Sequence, residues 1–158
     1  MSLHTMIQVD EIGEFVILIV RGVDFKFRKV KNYFVLDTKV TQEQWEAVLP
    51  EESPSHHKGK DLPVESISYY DIATRFLPSF NRLIENVGEA KLPTVSQFKE
   101  YAFAGATTIY PWGDKWDPRL ANCNSHCTTP VKAFPPNKLG IYDPVGNVWE
   151  ILENDQST

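Results

Sequence analysis

Cys123, His126 and Cys127 place two thiols and an imidazole within five residues, in the order Cys-x-x-His-Cys. Soft thiolates with an imidazole between them are ligands that transition metals favour. A structural zinc site takes four such ligands at recognised spacing and only three cluster here, so two ordinary thiols are the favoured reading. His56 and His57 stand in Ser53-Pro54-Ser55-His56-His57-Lys58-Gly59, a polar run that reads as a solvated loop. No Ser-His-Asp constellation can be assembled from these histidines, and the eight glycines are scattered singly, which gives no phosphate-cradling loop. The densest chemistry lies between Phe134 and Glu150, where turn formers, aromatics and the carboxylates of Asp143 and Glu150 share one segment. Function is therefore expected on loops. Tyr110, Trp112, Trp116 and Trp149 suit either a sugar- or peptide-binding platform or a loop-region core. The core reading is preferred for Trp112 and Trp149, and both readings stay open for Trp116, beside Asp114 and Asp117.

These loops need a scaffold. Gln8 to Val35 reads as antiparallel strands, with Val16 to Val20 a buried run, Gly22 a turn or bulge, and Val23, Phe25 and Phe27 alternating with Asp24, Lys26 and Arg28. Tyr33 to Lys39 reads as a further strand. Three helix starts share one signature. Thr41 with Gln44, Ser68 with Asp71 and Thr94 with Gln97 are spaced as capping boxes, and the pairs Val40 with Trp45 and Ile67 with Ile72 are spaced as hydrophobic staples. Pro78 predicts a kink or break of the second helix near Leu77, because it lacks an amide and its ring clashes with the preceding turn. Gly88 and Gly105 are the expected helix stops. From Thr107 onward, Pro and Gly recur too often for a long regular element.

The chain has 158 residues, 42% hydrophobic and 23% charged, which suits one domain over residues 1–158. A net charge of -5 supplies no basic stripe for a phosphate backbone, so nucleic acid is not an expected partner. The longest aliphatic run, Phe15 to Val20, is far shorter than the ~20 residues that span a bilayer. No membrane partner is expected. The lack of a signal-peptide pattern favours a soluble, cytoplasmic protein. Two cysteines are too few for a disulfide framework.

Five blocks in order carry a family resemblance. They are Tyr33-Phe34 through Val40-Thr41-Gln42-Glu43-Gln44-Trp45, then Leu62-Pro63-Val64 through Ile72-Ala73, then Leu92-Pro93-Thr94 through Tyr101-Ala102, then Tyr110-Pro111-Trp112-Gly113-Asp114, and finally Phe134-Pro135-Pro136-Asn137 through Gly146-Asn147-Val148-Trp149-Glu150. Together they resemble the formylglycine-generating enzyme family, also called sulfatase-modifying factors. The resemblance implies an α+β, C-type-lectin-like, loop-rich fold, here C-terminally truncated, since the family's later strands have no counterpart. The family's oxidases use a cysteine pair that binds copper(I) and lies after the last block, whereas Cys123 and Cys127 precede it. No catalytic residue is therefore carried over, and copper is not expected.

The resemblance implies calcium at Asp143, Gly146, Val148 and Glu150, the outer two through carboxylate oxygens and the inner two through backbone carbonyls, with Asn147 bracing the loop. The alternative is that the carboxylates cap local amides with no ion present. A second family calcium site would begin at Asn122 and Cys123, and its later ligands are missing. The expectation is a non-catalytic binding or structural module, the alternative being the N-terminal portion of a copper-dependent oxidase that converts a sulfatase cysteine to formylglycine. Without the family's closing strands, Val16 to Val20 or a neighbour is expected to present an unpaired edge, and a homo-oligomer follows from it. The competing possibility is that the N-terminal segment or the last eight residues cover that edge.

Overall fold

The structure, a computed structural model, describes residues 5–9, 13–123 and 125–153. Strands β1 (Thr5–Val9), β2 (Phe15–Val20), β3 (Val23–Val30) and β4 (Tyr33–Leu36) form one antiparallel sheet in the order β1-β2-β3-β4. Arg21 and Gly22 link β2 to β3 with φ of 50° and 81°. Two consecutive positive φ values make the tight turn whose twist matches that of the flanking strands. It sets the register Val20↔Val23 and Leu18↔Phe25, so Leu18, Val20 and Phe25 all go inside.

Of the strands expected at the edge, the neighbour β1 is an outer strand and Val16 to Val20 is not. β2 is not an edge: β1 pairs with it from Val9↔Val16 to Thr5↔Val20, and β3 covers its other side. The N-terminal segment has taken the place that the sequence left open. Among the described residues the outer strands are β1 and β4. β4 also stops at Leu36 rather than Lys39, because the Asp37 carbonyl turns to accept from the Tyr142 amide at 2.8 Å instead of continuing the ladder with β3.

Helix α1 is Gln42–Val48, α2 Tyr69–Asp71, α3 Leu77–Leu83 and α4 Val95–Phe103. All three capping boxes form, at Thr41, Ser68 and Thr94, each with both reciprocal hydrogen bonds. The predicted break near Leu77 does not occur. A π-helical stretch, Ile72–Phe76, joins α2 to α3 and the run continues through Pro78. There the Leu77 amide reaches the Ile72 carbonyl five residues back, and this wider turn gives the Pro78 ring room where an α-turn would press it on the Thr74 carbonyl. Helix α3 ends ahead of Gly88, with its cap at Ile84, and α4 ends in left-handed Ala104 followed by Gly105 at φ 84°.

Side chains from both layers fill two cores. In the larger, Trp45 stacks on Phe76 at 5.0 Å, and Phe80 lies between Phe76 and Phe25 at 6.0 and 5.1 Å. Leu18, Val20, Val48 and Ile84 complete it, and Val40 and Ile67, the staple residues before the first two caps, pack against it. The smaller core joins Val30 to Tyr101, Ala102 and Ile141. It fastens α4 and the loop region to the sheet. Beyond Thr107 the described residues form turns and single bridges without a helix or strand.

Candidate functional site

Side-chain amides do the work in the loop region that a β-ladder does elsewhere. The Asn137 carboxamide donates to the carbonyls of Tyr101 at 2.7 Å and Ala102 at 3.1 Å, capping the end of α4. Its oxygen accepts from the amides of Leu139 and Ile141. Tyr142 is thereby delivered beside Asp37, and the chain turns through Asp143, Gly146 and Asn147 with φ of 48°, 86° and 66°. Gly146 is required twice over: its φ is left-handed, and a Cβ there would lie 2.6 Å from the Asn122 carbonyl oxygen. The Asn147 amide donates to that same carbonyl at 2.7 Å.

Asp143 and Glu150, the outer two of the four predicted ligand residues, meet at a lysine. The Lys39 ammonium is 2.9 Å from the Asp143 carbonyl oxygen and 2.9 Å from Glu150 Oε2, and its side chain is only 10% exposed. The Tyr101 hydroxyl reaches Glu150 Oε1 at 3.4 Å. Burial, with the Glu150 charge second, pushes the Tyr101 phenol well above its ordinary value. The Asp143 side chain is buried, and neither carboxylate oxygen has a partner in good hydrogen-bond geometry, the Lys132 amide being the donor near it. Burial pushes its carboxyl up, against the pull of the Lys39 charge and the Lys132 amide. Lys132 itself pairs with buried Asp37 at 3.0 Å and lies over the Tyr142 ring.

Buried Asp143 oxygens without partners are what a cation would satisfy. The cation already there is Lys39, in contact with the first and last of the predicted ligand residues. Among the described residues no three His, Cys, Asp or Glu side chains converge as metal ligands. Sequence reasoning missed Lys39, whose position immediately before Val40 and the Thr41 cap carries no signal of an ion pair more than a hundred residues away.

The other candidates lie apart. Cys123 and Cys127 are free, exposed thiols, and His126 is exposed. Their loop is shaped by Asn122 and Ser125, which both donate to the Cys127 carbonyl. Asn122 and Cys123, where the second family calcium site would begin, line the Gly146 approach. His56 is exposed and His57 half-buried, with rings edge to face at 5.0 Å. Their amides both donate to the Glu65 carboxylate, above fully buried Ser53 and Ser55. Burial of Glu65 is outweighed by the Ser66 hydroxyl and the two histidine amides, which hold its carboxyl below the ordinary range.

The aromatic residues divide differently from expectation. Trp149 is not core; it is 97% exposed. Asn147 two residues before and Glu150 directly after are both tied to distant partners, and the indole between them is turned to solvent. Trp112 is half-buried outside both cores, stacked on Tyr110 at 5.3 Å and 6°, with Trp116 edge-on to Tyr110 at 5.6 Å. A cleft of about 410 Å³ opens between the β2–β3 hairpin and the start of α1, and it carries mixed charge from Asp24, Lys26, Asp37, Lys60, Asp61 and Lys132.

The four-stranded sheet, the three capped helices and the amide-braced loop region define a formylglycine-generating-enzyme-like domain. A family model described as the sulfatase-modifying factor enzyme 1-like domain matches residues 21–157, and the chain belongs to that family. It is 40% identical over 76 residues to the inactive C-alpha-formylglycine-generating enzyme 2 of Bos taurus, covering 38% of this chain and 25% of that protein. It is 28% identical over 123 residues to the formylglycine-generating enzyme of Mycobacterium tuberculosis, covering 68% of this chain and 41% of that one. The chain thus spans well under half the length of either relative. Among solved structures, Treponema denticola variable protein 1 superposes with a TM-score of 0.70 at 19% identity, over 87% of this chain and 78% of its own. PvdO from Pseudomonas aeruginosa gives 0.58 at 19%, over 95% and 67%. These likenesses establish the fold. No helix among the described residues is long and apolar enough to cross a membrane.

Proposed function

We propose that this chain is a non-catalytic binding or structural module built on the formylglycine-generating-enzyme scaffold. One observation carries the reading: Trp149, 97% exposed, stands on a segment held by Asn147 on one side and Glu150 on the other. A large apolar side chain presented in a fixed position gives contact area to a partner at low entropic cost, as rigid aromatic anchors do in binding surfaces. The Bos taurus relative, itself named inactive, supports a scaffold used without oxidase chemistry. Association of copies belongs to the same reading. β1 has a partner on one side only among the described residues, and an unpaired strand edge is a template for pairing with another chain.

A second reading has its own support. The Mycobacterium tuberculosis formylglycine-generating enzyme aligns with 68% of the chain, so the chain can also be the N-terminal portion of a copper-dependent oxidase acting on a sulfatase cysteine. Incubation of the chain with copper(I), oxygen and a Cys-x-Pro-x-Arg peptide, read by peptide mass, tests the module reading. The module reading expects an unchanged mass, and conversion to the aldehyde above a no-protein control overturns it. Sedimentation at micromolar concentration tests association, for which a monodisperse monomer is the contrary result.

A further inference from the structure

We infer that Lys39 serves as a built-in cation for the Asp143 to Glu150 loop, its ammonium bridging the first and last of the residues expected to hold a divalent ion, so that this loop holds its shape without metal. Three observations meet at one point. The ammonium is 2.9 Å from the Asp143 carbonyl and 2.9 Å from the Glu150 carboxylate, thus bridging the first and last of the four positions expected to bind calcium. The Asp143 carboxylate is buried without a well-formed hydrogen bond, the Lys132 amide being the donor near it, so the Lys39 charge adds stabilisation that it otherwise lacks. The lysine is 10% exposed and enters from the segment between β4 and α1, which is fixed on one side by the sheet and on the other by the Thr41 capping box.

The geometry also rules out sharing. An ammonium and a calcium ion within hydrogen-bonding reach of the same carboxylate repel strongly in a partly dry site. One cation or the other occupies the loop. Removing the ammonium leaves the Asp143 carbonyl and a Glu150 carboxylate oxygen, each 2.9 Å from Nζ, without their cation, and hard oxygens of this kind suit a divalent ion completed by water. The inference is independent of whether the chain is a binding module or part of an oxidase, because it concerns what holds the loop.

The test compares the full chain with Lys39→Met and Lys39→Gln, melting each in millimolar calcium chloride and in EDTA. The wild type is expected to melt at the same temperature in both, and to give no heat when calcium is titrated in a calorimeter. Lys39→Met is expected to melt lower in EDTA and to recover most of the loss in calcium. A calcium-dependent rise in the wild type overturns the inference, as does a Lys39→Met protein that melts identically in both buffers. If Lys39→Met does not remain folded, Lys39→Gln is refolded from urea with calcium or with EDTA. Recovery with calcium alone supports the built-in cation, and equal recovery or equal failure in the two overturns it.

Discussion

Asn147 and Thr129 exchange two hydrogen bonds of 2.9 Å: the Asn147 carboxamide accepts from the Thr129 amide and donates to the Thr129 carbonyl. A side chain here imitates one rung of an antiparallel ladder. It can do so because Asn147 sits in the left-handed region, φ 66°, which asparagine tolerates and most residues do not. Two loops with no strand between them are thereby paired as firmly as strands would be.

Gly146→Ala is expected to destabilise the chain by about 2–4 kcal/mol, because it adds left-handed strain to a backbone clash. The Asn122 oxygen 2.6 Å from the new Cβ is main chain and cannot swing away. Urea denaturation should show a lower midpoint; an unchanged midpoint would mean that the two loops are not packed as described.

Asn137→Ala removes four hydrogen bonds at once and leaves the carbonyls of Tyr101 and Ala102 without their partner. Each bond is worth about 1 kcal/mol net, and a stranded buried group costs more, so a loss of about 3 kcal/mol is expected. Hydrogen exchange at Leu139 and Ile141 should accelerate in the same variant. Protection equal to wild type there would count against the staple.

Thr41→Ala and Thr94→Ala should each cost about 1 kcal/mol through loss of the N-cap. Replacing Gln44 in the Thr41→Ala background should then cost less than Gln44→Ala alone, since the two side chains form one reciprocal unit. Strict additivity in that double-mutant cycle would refute the box.

Glu65 predicts an acid-side loss of stability. Its carboxyl is lowered in the folded chain, so its contribution is fully present above the ordinary value of 4.5 and disappears as pH falls through the lower folded value. Glu65→Gln should flatten the decline in melting temperature below that pH and leave the slope near neutrality unchanged. Parallel pH profiles for the two proteins would contradict the assignment.

Trp149→Ala should change stability by no more than about 0.5 kcal/mol, as expected for an exposed side chain outside any packed feature. Acrylamide should quench the Trp149 emission almost as it quenches free indole, while Trp45, 1% exposed, stays protected. Shielding of Trp149 at high protein concentration would locate it in a contact between copies.

What the sequence disclosed was local. The three capping boxes depend on residues three apart and β2 on an unbroken apolar run, and such patterns survive in one dimension. Trp149 and Lys39 depend on partners far along the chain. The indole faces solvent because of what Thr129 and Lys39 do to its neighbours, and Lys39 meets Glu150 across 111 positions. The passage through Pro78 was hidden for another reason. Proline predicts where a regular helix fails, and only the i→i−5 bond from Leu77 to Ile72 shows the backbone widening instead.

That wide turn sets the angular phase of everything after it. A π-turn carries one more residue than an α-turn, so it offsets the downstream helix by roughly 100° relative to an uninterrupted one. Phe76 and Phe80, four residues apart, share one helix face in any case, and the offset sets how that face is turned relative to α2. Deleting a single residue between Ile72 and Phe76 would restore an ordinary helix, press Pro78 against its own backbone and turn Phe76 and Phe80 together relative to α2. The rotational setting of the core thus rests on one residue's worth of backbone more than on the exposed side chains of Thr74 and Arg75.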